Sequence, residues 1–215
     1  MTRHHGWAFP AVDRLMAAEL TRVGTYQQSH LDAALRWVTQ HGTAIDGGAH
    51  VGTWSRQLAL VFRQVIAFEP AADTFACLVE NMHDQAAHNV TCHQAALGAH
   101  PGFVHMTMTA KDVARGNTGG RLVVHGGGDV PVVTLDSLAL GDVGFVKLDV
   151  EGSEPMAILG ATETLQRCRP VVLVEDKGHW VTHYGLPTSA VRDLLTAQSY
   201  RLAETVGCDQ VWVPR

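Results

Sequence analysis

The chain is 215 residues long, 46% hydrophobic and 17% charged, with a formal net charge of −5. That length suits one domain with an ordinary core, and the composition excludes an intrinsically disordered chain. The acidic balance, with no Lys/Arg cluster to redress it, argues against an electrostatic binder of nucleic acid.

The opening MTRHHGWAFPAVDR lacks the apolar core of a signal peptide, and His4 and His5 read as part of a tail. Residues 12–41 are helical in pattern, with Leu31, Ala34, Leu35 and Val38 at i, i+3, i+4 and i+7. A short apolar strand over 43–46 leads into a glycine turn and a helix with Trp54, Leu58, Val61 and Phe62 on one side. QVIAFEP (64–70) is a second strand stopped by Pro70, 73–82 is a helix capped by Asp73, and 89–98 is a third strand. Residues 102–133 break the alternation: an alternating strand, the loop ARGNTGG, then strand, glycine turn and strand form a β-hairpin insertion. A fourth strand is expected over 143–152 and a helix near 153–167. The fifth strand, 169–176, carries an unbroken apolar run, which indicates cover on both faces. A helix starting at Thr188 or Ser189 and a hairpin over 201–215 close the chain.

Strand and helix alternate from 43 to 200, which implies an α/β fold with a doubly wound sheet. One domain is expected over 1–215, with an N-terminal helical cap (1–42) and the insertion (102–133). No run of about 18 apolar residues is present to span a membrane. Cys77, Cys92, Cys168 and Cys208 form no CxxC pair and read as reduced thiols of a cytoplasmic protein.

The turn between the first strand and its helix, Asp46-Gly47-Gly48-Ala49-His50-Val51-Gly52, stands where a doubly wound sheet binds ligands. It departs from the G-x-G-x-x-G of dinucleotide enzymes, and a carboxylate beside a pyrophosphate would repel it. S-adenosylmethionine (SAM) has no phosphate and carries an ammonium and a sulfonium, so an acid there is favourable. The spacing acid-x-G-x-G-x-G is met by Asp46, Gly48 and Gly52, with His50 in place of the middle glycine. Glu69, at the end of the second strand, suits the ribose hydroxyls of either cofactor class.

The ordered blocks IDGGAHVGTWS, AFEPAADTFACLVENM, NVTCHQAALG, VTLDSL, FVKLDVEGSEPMAILGA and RPVVLVE resemble FkbM-type methyltransferases over about residues 43–176. The resemblance implies a Rossmann-like class I methyltransferase fold, SAM as cofactor and methyl transfer to a hydroxyl on a small molecule or glycan. It names neither the acceptor nor the oligomeric state. Where the family often has Asn in the glycine loop, this chain has His50. In a class I fold, Gln94 and Ala95 would neighbour the adenine, and Asp149, ending the fourth strand, would stand by the methyl group.

The expected cofactor contacts are therefore Asp46, Gly48, His50, Gly52, Glu69, Gln94 and Ala95, and the candidate catalytic residues are Asp149 and His179. His179 lies in EDKGHWVTHYG after the fifth strand, a polar and aromatic stretch suited to an acceptor pocket, and its unperturbed pKa near 6.5 suits a general base. Lys147 is expected to neutralise a neighbouring acid, and Glu154 to complement a helix dipole. Tyr26, Gln27, Asn117 and Thr118 are candidates to cover the site. No metal is expected, because Glu175 and Asp176 point to opposite faces of a strand and lysines stand beside these acids. A nucleotide-dependent oxidoreductase and a non-catalytic SAM-fold subunit are the competing classes. Base methylation is disfavoured, since no NPPY-type block follows the fourth strand.

Overall fold

The computed structural model describes every residue except Gly24 and His179, and leaves the side chains of Val23 and His125 undescribed. The chain begins with a small antiparallel hairpin, β1 (Thr2–His4) and β2 (Trp7–Phe9), where the sequence suggested a tail. Buried Asn81 explains the difference: its side chain exchanges hydrogen bonds with the backbone N–H and carbonyl of Ala8. Two helices follow, α1 (Leu15–Val23) and α2 (Gln28–Leu35).

Next come β3 (Thr43–Gly47), α3 (Thr53–Leu58), β4 (Gln64–Phe68), α4 (Ala72–Asp84) and β5 (Val90–His93), then β6 (Ala96–Leu97), β7 (Gly102–Met108), α5 (Ala110–Arg115), β8 (Arg121–His125) and β9 (Val130–Val133). The last third holds β10 (Val143–Leu148), α6 (Glu154–Leu159), α7 (Thr162–Cys168), β11 (Val171–Glu175), α8 (Ala190–Ala197), β12 (Tyr200–Val206) and β13 (Asp209–Pro214). The main sheet runs β12-β13-β11-β10-β3-β4-β5, parallel from β11 to β5 and closed by an antiparallel hairpin. From β3 the chain winds outward through β4 and β5, then returns to lay β10 on the other side of β3. The switch point, where such sheets open a ligand crevice, is therefore between β3 and β10.

Helices cover both faces. In β10, Phe145 packs toward α2 and α3 with Leu31, Trp54 and Leu58, whereas Val146 packs toward α6–α8 with Ile158, Leu165 and Leu195. Period-two alternation thus serves two cores from one strand, which is why the strand reads as unbroken apolar sequence.

Four expectations change. The 89–98 run is two strands, because the chain turns at Gln94 and β6 leaves for a second sheet ordered β6-β9-β7-β8. The 102–133 insertion is thus part of a four-stranded sheet with α5 in its loop. The expected helix over 153–167 breaks at Gly160, where a Cβ would run into the carbonyl oxygen of Gly98. Asp73 lies inside α4 and pairs with Arg121 of β8, so it clamps the second sheet instead of capping.

Candidate functional site

β3 ends at Gly47 and the chain turns through left-handed conformations at Gly48 (φ +76°), His50 (φ +50°) and Gly52 (φ +93°). Gly48 must be glycine twice over, since a Cβ there would collide with the carbonyl of Asp149 across the switch point. The N–H groups of Gly48 and Ala49 donate to the carbonyl of Phe68 at 3.0 and 2.9 Å. A left-handed His50 costs about 1–3 kcal/mol, so something must hold it. Its N–H donates to Glu69 Oε2 at 3.0 Å, and its ring Nε2 lies 2.7 Å from Thr118 Oγ1.

Glu69 is buried at the end of β4, its other oxygen accepting the N–H of Ala71 at 2.8 Å. Burial raises its carboxyl above the ordinary value, opposed by His50 and these two N–H groups. Thr118 donates in turn to Asp13. Burial would raise Asp13, but hydrogen bonds from His50 and Thr118 outweigh it and hold its carboxyl low.

Asp46 is fully buried behind the loop, not at its mouth. Its Oδ2 accepts from Ser55 Oγ at 2.6 Å and its Oδ1 lies 3.3 Å from Lys147 Nζ. Lys147, buried as well, donates to the carbonyl of Gly48 at 3.1 Å and stands 3.8 Å from Asp149 Oδ2. Burial would lower the Lys147 pKa, but the paired acids Asp46 and Asp149 raise it. The lysine neutralises its neighbours, as its place beside Asp149 suggested.

An acidic cluster forms beyond β10 and β11. Carboxylate oxygens of Asp149, Glu151 and Glu175 lie within 4.8 Å of one another. Lys177 Nζ bridges two of them, 2.7 Å from Glu175 and 3.0 Å from Glu151. Burial, then the charge of Asp149, pushes Glu175 up to about 9, and its carboxyl is hydrogen-bonded to that of Asp149. Burial opposes ionisation of Asp149, yet Lys147 and that bond hold its carboxyl below the ordinary range. The turn that presents Asp149 and Glu151 is built by Glu154, whose Oε1 accepts the N–H groups of Val150 and Gly152 at 2.9 and 3.1 Å.

These pieces enclose a cavity of about 430 Å³, within the range of small-molecule sites. Gly48, His50, Glu69, Ala95 and Asp149 line it, as do Tyr26 and Asn117. Asp46 and Gly52 stand behind it, Gly52 packed on Leu78 and Met82 of α4, and Gln94 is exposed away from it. Glu175, the last residue of β11, and Lys177 just beyond it reach the cavity, whereas Asp176 turns away to Gly178 and Gln210. His179 lies outside the described residues. Gln27 accepts from the Trp54 indole at 2.7 Å and acts behind the wall. Sequence reasoning missed Asp13, Ser55 and Arg121, because no local motif marks a partner supplied by a distant segment.

A family model described as "Methyltransferase FkbM domain" matches residues 46–202. Among solved structures, the chain is similar to the methyltransferase FkbM of Methylobacillus flagellatus KT (TM-score 0.54, 18% identity, 80% of this chain and 43% of that one). It is also similar to precorrin 8w decarboxylase of Methanobacterium thermoautotrophicum (TM-score 0.55, 11% identity, all of both chains). A third is precorrin-6y C5,15-methyltransferase of Geobacter metallireducens GS-15 (TM-score 0.50, 10% identity, 94% of this chain and 97% of that one). The chain thus spans less than half the length of the solved FkbM protein. No curated protein matches it in sequence.

Proposed function

Since the chain belongs to the FkbM methyltransferase domain family, we propose that it binds SAM in the cavity at the switch point and methylates a hydroxyl of a small molecule or glycan. The observation that carries this reading is Glu69, a buried carboxylate on the cavity wall whose two oxygens are each oriented by a backbone N–H. Each oxygen keeps a lone pair for the two hydroxyls of a ribose.

The surrounding residues fit that cofactor. The glycine turn keeps side chains out of the space above β3, and Phe68, Ala95, Ala96 and Leu97 supply an apolar wall for a base. The carboxylates of Asp149 and Glu151 favour a cation and disfavour a pyrophosphate. When bound, SAM supplies a methyl group on a sulfonium, open to in-line displacement by a hydroxyl oxygen. Asp149, kept ionised by Lys147, accepts the proton that the hydroxyl loses. Glu175 steadies Asp149 through their hydrogen bond, and Lys177 holds Glu175 and Glu151 in place. Leu15, Met16 and residues 117–119 exclude water from above. Lys177 supplies the positive charge at the acid cluster, so the mechanism uses no metal.

The test is calorimetric titration with SAM, with its demethylated product S-adenosylhomocysteine (SAH) and with NAD⁺. Micromolar binding of the first two and none of the third is expected. NAD⁺ binding without SAH binding would replace this reading with hydride transfer.

A further inference from the structure

Two segments far apart in sequence close the cavity from above. The N-terminal segment contributes Leu15, Met16 and Glu19, and the insertion contributes Asn117, Thr118 and Gly119. They meet in one hydrogen-bonded chain. The Thr118 hydroxyl has a single proton and donates it to Asp13, so its oxygen accepts from His50, and Nε2 is the protonated ring nitrogen. Asp13 also accepts the N–H of Met16 at 3.0 Å, which ties this chain to the start of α1. Beside it, Arg14 donates its backbone N–H to Gly116 at 2.9 Å and its guanidinium to Ala114 at 2.8 Å. The fit is close, since a Cβ at Gly116 would run into the carbonyl of Val12.

The other side of the insertion is anchored. Arg121 pairs with Asp73 and donates to Thr74 at 3.0 Å, and the Tyr184 hydroxyl donates to the carbonyl of Val123 at 3.1 Å. The segment between α5 and β8, with Gly116, Gly119 and Gly120, joins this anchored sheet to the start of α1. At the lower end of this hydrogen-bonded chain, His50 Nδ1 is buried without a hydrogen-bond partner among the described residues, so the ring is gripped through its Nε2 side. That ring belongs to the glycine loop, so whatever holds it also sets the loop that Glu69 caps.

We infer that Asp13, Thr118 and His50 form a latch that closes the N-terminal segment and the insertion over the bound cofactor, and that cofactor exchange requires this latch to open. The inference rests on the reading of the cavity as a SAM site. Asp13 and Thr118 are positioning residues, acting on the cofactor through His50. Because Thr118 is buried, loss of its hydroxyl removes the bridge between His50 Nε2 and Asp13, which face each other at 3.5 Å, while the shape of the wall is kept by valine.

The experiment measures release of SAH from preloaded protein by stopped flow, for wild type, Thr118→Val, Thr118→Ser and Asp13→Ala. Release at least tenfold faster is expected from Thr118→Val and Asp13→Ala, and within twofold of wild type from Thr118→Ser, which keeps the hydroxyl. Release at the wild-type rate from Thr118→Val overturns the latch, even if its melting temperature falls, since that result describes ordinary structural glue. Hydrogen exchange on the wild-type protein serves where a variant fails to fold. SAH should protect amides of residues 12–20 and 112–120 together, and protection of neither overturns the latch as well. If wild-type protein binds no SAH, the cofactor reading itself falls; binding with unchanged release sinks the latch alone.

Discussion

The carboxylate of Glu69 accepts N–H groups from His50 and Ala71 on separate oxygens, so any isostere disturbs loop and ligand together. In Glu69→Gln the new amide NH₂ must face one of those N–H groups. SAH affinity should fall by about 1.5–3 kcal/mol, and the unliganded protein should lose about 1–3 kcal/mol of stability. Calorimetry and urea unfolding measure the two, and affinity unchanged in a folded variant would remove the ribose role. Lys147 presents the opposite case, a buried cation whose loss leaves acids alone. Lys147→Met abandons the carboxylate of Asp46 in the core, so stability should drop by about 3–5 kcal/mol. Adding Asp46→Asn keeps an acceptor for Ser55 and removes the stranded charge, so the double variant should be more stable than Lys147→Met alone. Strict additivity in urea unfolding would show that the pair does not interact.

At the scale of the element, the turn from β10 to α6 shows how a buried acid shapes a site it never touches. Glu154 holds the N–H groups of Val150 and Gly152, which aims Asp149 and Glu151 at the cavity. Burial is the chief cause that pushes its carboxyl up to about 7 from 4.5. Between those values the folded protein keeps a proton that the unfolded chain has released. Stability from this group is therefore full below pH 4.5, falls through the window and is flat above 7, a change on the order of 3 kcal/mol. Glu154→Gln keeps the accepting oxygen and cannot ionise. It should match wild type at pH 4 and exceed its stability by up to roughly 3 kcal/mol at pH 8. Parallel urea-derived pH profiles for the two proteins would refute the assignment.

The same elements show what a sequence can reveal. β3, β4, β10 and β11 were legible, because strands covered on both faces read as apolar runs, but their ends were not: β4 stops at Phe68 and β10 at Leu148, short of the expected 70 and 152. The split at Gln94 was not, since nothing in NVTCHQAALG distinguishes two strands from one. Only the pairing of Ala96 and Leu97 with β9 decides it. The carboxylates at strand ends were legible as chemistry, but their surroundings were not. Asp46 reads as a ligand for a cation and is instead the counterion of Lys147, a fact that depends on β10 lying beside β3. Asp13 carried no signal, because its side-chain partners, His50 and Thr118, lie 37 and 105 residues away along the chain.

For the molecule as a whole, the net charge of −5 matters less than how the cations are used. Arg3, Arg22, Arg36, Arg63, Arg121 and Arg192 each face a carboxylate, and Lys147 and Lys177 are committed to the acids around the cavity. At these eight of the sixteen cations a phosphate backbone would have to displace a partner, and along the cavity lining it would meet Glu19, Asp149 and Glu151. Affinity for nucleic acid depends on releasing counterions to unpaired lysines and arginines, and the class I fold does not itself dictate a substrate. The acceptor is therefore expected to be unphosphorylated, and the protein should not bind RNA or DNA. Fluorescence anisotropy with labelled 20-nucleotide single and double strands should show no binding at about 10 μM protein in 50 mM salt, a condition that favours electrostatic contacts. Micromolar binding that weakens steeply as salt rises would reveal a cationic track and reopen nucleic acid as the methyl acceptor. Weak binding insensitive to salt would point to base stacking in the cavity, which SAH in excess should then displace.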